Sequence, residues 1–285
     1  MSGTLFIVST PIGNLEDISL RALRVLKEVD IIAAEDTRVT RKLLSRFDIH
    51  TILISYHQNS RGKRAEEIVG MLQDGKNVAL VSDAGTPGIS DPGHELIAIC
   101  IAEGIRIEPI PGPSAIITAL VVSGLSTTSF AFDGFPPRKE NERRAFFANL
   151  RSETRTVCLY ESPLRLVKTL QSILEVLGDR PVAVAREITK VHEEIFRGSV
   201  SQAIEHFSAG KVRGEVVIVL GGCISAENGQ VIEDRRLESR LRELLGQGMS
   251  EKDAVRQCVI EFRLSRRRVY AAALAIKGEK SSAAS

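Results

Sequence analysis

This 285-residue chain has little of what marks several common protein classes. Its four cysteines, Cys100, Cys158, Cys223 and Cys258, stand far apart. None belongs to a CxxC pair or has a histidine at ligand spacing, so no metal site is expected. Four scattered, reduced thiols fit a cytoplasmic protein. No apolar run approaches the roughly 20 residues that span a bilayer. The first residues, MSGTLFIVSTP, lack a charged segment followed by a long apolar core, and read as a first strand with no signal peptide. A formal charge of +2 gives no global field for nucleic acid or membrane. GxGxxG is missing, which leaves a nicotinamide site without support, and so is GxxxxGK[ST], which argues against an ATP-hydrolysing loop.

What is present is a set of glycine- and proline-rich strand ends. In Val78–Gly93, VALVSDAGTPGISDPG, a β-branched run breaks into a loop tightly turned and bare of side chains. Such a loop lets backbone N–H and C=O groups touch a ligand at the carboxyl end of a strand. A bare structural connection needs only two to six residues, and this one is longer. IVSTPIGN follows the first strand, and IPGPSA precedes an apolar helix whose N-terminus suits a carboxylate, with Ser114 also placed to cap it. Three strand ends of this kind within about 115 residues point to one small-molecule crevice.

The spacing predicts an α/β protein. Through residue 125 strand and helix patterns alternate, with strands at Thr4–Ser9, Asp30–Ala34, Ile52–Ser55, Val78–Val81 and Ile105–Pro109, implying a mainly parallel sheet covered on both faces. After Gly124 the rhythm changes to a mixed sheet, with strands at Phe130–Phe135, Thr156–Tyr160, Val182–Ala185 and Val216–Leu220, and hairpin character around Ile188–Gly198. Short helices begin after Val231 and resemble a helix-turn-helix arrangement. The domains read as 1–117, 118–230 and a helical unit over 231–278, with 279–285 a disordered tail.

Charge is local. From Glu233 to Ser285 there are 12 basic and 8 acidic residues. Arg266, Arg267 and Arg268 open the last helix, where the helix dipole disfavours cations, and phosphate binding is the natural reason to place them there. A second basic segment holds Arg138, Lys139, Arg143, Arg144, Arg151 and Arg155 against three acids. Either group also reads as a solvated charged face. Asp36, in Glu35-Asp36-Thr37-Arg38, reads first as a helix cap and second as a carboxylate beside a guanidinium. His57 is the one histidine just after a strand end.

TPIGNLEDIS (10–19), AAEDTR (33–38), SDAGTPGISDPG (82–93), PGPSA (111–115), YESPLR (160–165) and REITKVHEE (186–194) together closely resemble one family. It is the bacterial small-subunit ribosomal RNA 2′-O-methyltransferase I family of the tetrapyrrole methylase superfamily. The resemblance covers nearly the whole chain. It implies a two-domain tetrapyrrole-methylase-like fold with S-adenosyl-L-methionine in a cleft between the domains, a homodimer, and methylation of a decoding-region cytidine. By this resemblance the cofactor contacts fall on Pro11, Asp83, Ala84, Gly85, Thr86, Ile89, Ser114 and Ala115. From the second domain they fall on Leu159, Tyr160, Arg186 and Gly214. Attack by a ribose hydroxyl calls for a base or acceptor, and Asp36, Glu161 and His57 are the candidates. Arg38, Lys139, Arg165 and Arg266–Arg268 are the candidates for RNA phosphates, on the RNA itself or in the assembled small subunit. Methylation of a tetrapyrrole or corrin ring, and a non-catalytic nucleic-acid-binding role, are the alternatives. The basic segment and the helical C-terminal unit argue against the first, and the three cleft loops against the second.

Overall fold

The computed structural model describes residues 2–57, 61–223, 237–262 and 264–282, with the side chains of residues 61 and 275–282 outside that description. The described chain forms two compact units, Met1–Gly222 and Cys223–Ser285.

The first unit contains two five-stranded sheets. In the first sheet the strands are β1 (Thr4–Val8), β2 (Ile31–Ala34), β3 (Ile52–Ser55), β4 (Val78–Val81) and β5 (Arg106–Ile110). They are ordered β3-β2-β4-β1-β5 and all pair in parallel. The helices between them are α1 (Leu20–Glu28), α2 (Thr37–Arg46), α3 (Arg61–Gln73) and α4 (His94–Ala102). Every residue of β2 and β4 is buried, as a central parallel strand covered on both faces requires. Alternation divides them: Ile31, Ala33, Val78 and Leu80 join a core with Ile68, Leu72 and Leu96, while Ile32, Ala34, Ala79 and Val81 join another with Val25, Leu26 and Leu44. The chain leaves β1 for β2 on one side, and β5 adds on the other. The carboxyl ends of β1 and β4 therefore flank the topological switch point.

The second sheet comprises β6 (Phe130–Phe132), β7 (Thr156–Glu161), β8 (Pro181–Arg186), β9 (Glu194–Ser199) and β10 (Val216–Leu220). Its order is β6-β7-β10-β8-β9, and every pairing except β6 with β7 is antiparallel. One face is packed by α6 (Glu140–Asn149), α7 (Leu166–Leu177) and α8 (Val200–Ser208) over Val157, Leu159, Val184 and Ile218. The other presents Cys158, Ala183, Ala185, Val217 and Val219 to α5 (Ala115–Val122) and to Ile12 of the loop after β1. The helix α5 thus belongs to the second sheet's core, so a boundary at residue 117 would cut through it. The strand expected over Phe130–Phe135 stops at Phe132.

In the second unit, a helix α9 over residues 237–246, α10 (Glu251–Phe262) and α11 (Arg266–Ser282) enclose Leu237, Leu241, Leu244, Val255, Cys258, Val269 and Ala273. Ser250 and Ser265 each accept a hydrogen bond from the amide three residues on, capping α10 and α11. The last helix runs through Gly278 to Ser282, where the sequence predicts a disordered tail from 279. The expected boundary at 230–231 falls outside the described residues. No helix among the described residues is long and apolar enough to cross a membrane.

Candidate active site

The loops after β1 and β4 are joined by a two-way bridge. The Thr10 amide donates to the Gly85 carbonyl (2.9 Å) and the Gly85 amide to the Thr10 carbonyl (3.0 Å). Gly85 has φ +80°, a region that favours glycine, and this is the physical reason for the residue type in this turn. The Ser9 and Thr86 hydroxyls lie 2.9 Å apart, and Thr10 Oγ1 donates to the Ser82 carbonyl at 3.1 Å. From the second sheet, the loop between β8 and β9 reaches the same place: Thr189 Oγ1 accepts from the Asn14 amide at 3.0 Å.

Between these loops lies a cavity of about 670 Å³, within the range of small-molecule sites. Its first wall is backbone-rich: Asp83, Ala84, Gly85, Thr86 and Ile89 after β4, with Ser114 and Ala115 at the start of α5. Ser114 caps that helix, its hydroxyl accepting from the Ile117 amide. The opposite wall is aromatic and apolar, with Phe130, Phe132, Phe135, Tyr160, Ile188 and Val217. The Tyr160 ring packs at 4.9 Å from Phe132 and 5.4 Å from Phe135. Gly214 lines the wall just before β10.

Among the described residues the charges that line the site are of one sign: Glu35, Asp83, Asp91, Glu161 and Glu215 line it, with no lysine, arginine or histidine beside them. Burial, and then the neighbouring Glu35 charge, push the Asp91 carboxyl up to about 7, with the nearby Ser82 acting against them. Burial also raises Glu35 and Asp83, each further raised by nearby carboxylates. The Tyr160 phenol is pushed up to about 12 by burial and then by Asp91. Burial and mutual repulsion disfavour the charged form of Glu35, Asp83 and Asp91, and a bound cation would relieve both, so the cavity suits a cationic ligand.

Nine of the twelve residues expected to meet a cofactor line this cavity; Pro11, Leu159 and Arg186 do not. Pro11 is buried within its loop. Leu159 points to the opposite face of the sheet, into the core under α7 and α8. Its neighbour Tyr160 takes the cavity side because strand residues alternate. Arg186 is held by Glu194 at 2.7 Å and by the Arg213 carbonyl.

The three catalytic candidates fare differently. Asp36 caps α2 through the Arg38 amide, and the Arg38 guanidinium grips it at 2.6 Å, holding its carboxyl at about 2. So acidic a group has little affinity for a proton. Glu161 is at the wall, but its carboxylate is fully buried and accepts from the Ser162 amide (2.6 Å), Thr169 Oγ1 (2.5 Å) and Arg165 (2.5 Å). These contacts make it a structural anchor. His57 is exposed after β3, two strands away from β4, and does not line the cavity.

The expected cationic segment is largely neutralised. Lys139 pairs with Glu142, Arg144 with Glu140 and Glu175, and Arg155 with Glu153. Arg143 is buried and donates to Ser172 Oγ and the Arg138 carbonyl. Arg165 is turned inward to Glu161 and the Pro136 carbonyl, so it presents no open charge to a phosphate. Arg38 is exposed but paired with Asp36. By contrast, Arg266 and Arg267 are exposed in the first turn of α11, with Arg268 partly so.

Sequence reading missed Glu35, Asp91, Glu215 and the phenylalanines. The spacing of Phe130 and Phe132 carried a signal, since residues two apart in a strand share a face.

Comparison with known proteins places this arrangement. Residues 4–204 match the family model described as Tetrapyrrole (Corrin/Porphyrin) Methylases. A protein of Synechocystis sp. named ribosomal RNA small subunit methyltransferase I is 45% identical over 278 residues, covering 97% of this chain and 99% of its own. A Thermotoga maritima protein of the same name is 52% identical over 220 residues, covering 77% and 99%. Among solved structures, a cobalt precorrin-4 methyltransferase aligns with TM-score 0.59 at 20% identity, covering 76% of this chain and 94% of its own. Uroporphyrin-III C-methyl transferase from Thermus thermophilus, complexed with S-adenyl homocysteine, aligns with TM-score 0.54 at 19% identity, covering 77% and 97%.

Proposed function

This chain belongs to the tetrapyrrole (corrin/porphyrin) methylase family, and from that premise we propose that it methylates the ribose 2′-oxygen of a cytidine in the decoding region of small-subunit ribosomal RNA. It is an S-adenosylmethionine-dependent methyltransferase acting on ribosomal RNA, in common with relatives that match it over nearly their full length. The finer choice of atom and nucleotide rests on the motif resemblance, from TPIGNLEDIS through REITKVHEE. A cytoplasmic homodimer is part of the same reading, with the resemblance as its support.

The observation that carries the reading is the acid-lined, aromatic-walled cavity at the switch point of the first sheet. Its residues fit the cofactor. When bound, S-adenosylmethionine supplies an electrophilic methyl on a positively charged sulfur. Glu35, Asp83 and Asp91 offer negative charge to that sulfonium and to the ammonium, and the faces of Phe132 and Tyr160 offer cation–π attraction. The capped start of α5 suits the carboxylate. Ala84 and Gly85 line the cavity with little or no side chain, so a ligand can pack close to this stretch, which the Thr10–Gly85 bridge holds in place. With the cofactor held by these groups, an acceptor oxygen brought in line with the methyl would gain much of its acceleration from positioning. Loss of the sulfonium charge on transfer weakens the hold on the spent cofactor.

Arg266–Arg268 hold phosphates in this reading, giving affinity without base recognition. The test is incubation with methyl-labelled cofactor and 30S particles, naked RNA or a porphyrinogen. Label on RNA that vanishes when the target cytidine is 2′-deoxy is the expected result. Label on the macrocycle alone refutes the proposal.

A further inference from the structure

Asp91 stands at the turn where the long loop after β4 heads back into α4. The residue before it, Ser90, holds φ +64° without being glycine, a conformation costing on the order of 1 kcal/mol. That turn puts Asp91 on the cavity wall. Charged and titratable groups approach it from each neighbouring element: Glu35 after β2, Asp83 after β4, Tyr160 on β7 and Glu215 before β10. Ser82, at the end of β4, lies near enough to favour its ionised form, while the Ser82 hydroxyl donates to the Ala84 and Gly85 carbonyls. The three carboxylate and imidazole groups that sequence favoured are disqualified by their surroundings: Asp36 by Arg38, Glu161 by its three buried donors, and His57 by its distance from the wall.

We propose that Asp91 is the catalytic residue that accepts the proton of the ribose 2′-hydroxyl, an inference that rests on the ribose-methylation reading above. A lone pair of the 2′-oxygen forms the bond to the methyl carbon. The carbon–sulfur bond breaks with its electron pair passing to sulfur, which becomes a neutral thioether. The hydroxyl proton passes to an Asp91 carboxylate oxygen and from there to water. Electrostatics couple these events. With a cation in the cavity the carboxylate stays ionised and ready to accept. As the positive charge on sulfur disappears, the acidic, half-buried surroundings again favour the neutral carboxyl. Proton affinity therefore rises at Asp91 as the hydroxyl loses its proton.

The experiment uses the full chain, Asp91→Asn and Asp91→Glu, with small-subunit RNA, S-adenosylmethionine and S-adenosylhomocysteine. At saturating substrates the Asn variant loses about 100-fold or more in kcat. Its loss of cofactor affinity is far smaller, and Glu restores part of the rate. The wild-type kcat/KM for the cofactor rises with pH through about 7, the ligand-free value of this carboxyl, and the Asn variant lacks that limb. A second readout needs no turnover. Calorimetry at pH 7 in buffers of differing ionisation enthalpy shows wild type releasing up to about half a proton on binding the sulfonium but less on binding the thioether. The Asn variant loses that difference. A defect confined to cofactor affinity, with kcat and the pH limb unchanged, overturns the proposal, as does wild-type proton release by the Asn variant. Label persisting on RNA with a 2′-deoxy target defeats the ribose reading itself, and is seen with wild type before any variant is made.

Discussion

Replacing Glu161 with alanine separates an anchoring role from a catalytic one. The carboxylate accepts from Thr169 Oγ1, the Ser162 amide and Arg165, and its side chain is 0% exposed. Removing it leaves the Thr169 hydroxyl, in a residue with no solvent exposure, without its acceptor. An unsatisfied buried hydroxyl costs about 1–3 kcal/mol. Arg165 loses its carboxylate while its side chain keeps only 22% exposure. Breaking one side of a buried ion pair costs about 3–5 kcal/mol. Relief of the glutamate's own desolvation and the partial hydration of Arg165 bring the expected total to about 3 kcal/mol. For a unit of this size that lowers the thermal midpoint by roughly 6–12 °C. Differential scanning calorimetry reads the shift, and methyl transfer at a temperature where the variant is folded reads the chemistry. Glu161→Gln, which keeps an acceptor for Thr169, recovers part of the stability. A variant with an unchanged midpoint and abolished transfer at saturating substrates contradicts this assignment and returns Glu161 to the reacting groups.

The remaining predictions use other parts of the molecule. Asp91 has its folded-state pKa raised, so the folded protein binds its proton more readily, and this carboxyl's contribution to stability falls as pH rises from near 4 through about 7. Asp91→Asn without ligand therefore melts higher than wild type at pH 8 and nearly alike at pH 4; a lower midpoint at pH 8 contradicts this. The three raised carboxyls of the cavity, Glu35, Asp83 and Asp91, make affinity for the sulfonium cofactor climb as pH rises through about 7, where Asp91 ionises, more steeply than affinity for its demethylated product. Parallel calorimetric titrations check this, and equal slopes count against a charge-selective cavity. Gly85→Ala places a Cβ at φ +80°, in ordinary contact with Ile12 Cγ2 at 3.6 Å and the Pro113 carbonyl at 4.0 Å, so the penalty is conformational. A loss of about 1–2 kcal/mol in cofactor affinity or stability is expected, and full wild-type behaviour in both refutes the turn's role. Changing Arg266, Arg267 and Arg268 to alanine weakens RNA binding and flattens its dependence on salt, and unchanged low-salt affinity rules that role out.

Much of the site was visible in the sequence because glycine and proline write backbone geometry directly. TPIGN, SDAGTPGISDPG and PGPSA lie at the ends of β1, β4 and β5, and the parallel order of the sheet brings the first two together at the switch point. What escaped depends on pairing between distant segments. Whether Leu159 or Tyr160 faces the cavity follows from which face of the second sheet α5 covers, a fact outside the local pattern. Glu161 resembles a catalytic carboxylate until Thr169 and Arg165 close over it from α7 and the turn before it. The basic segment was overread, although Glu140, Glu142 and Glu153 stand at pairing distance in sequence. Glu175, which completes the pairing of Arg144, comes from another helix. Asp91 hid in SDPG, where an aspartate before proline reads as turn chemistry.

Titration of the full chain with S-adenosylmethionine, beside Ala115→Trp to fill the mouth of α5, tests the cavity as the cofactor site most directly. Saturable one-to-one binding by wild type, lost in a variant whose thermal midpoint is preserved, is the predicted result. No measurable heat or affinity with wild type, or undiminished binding by the filled variant, contradicts it.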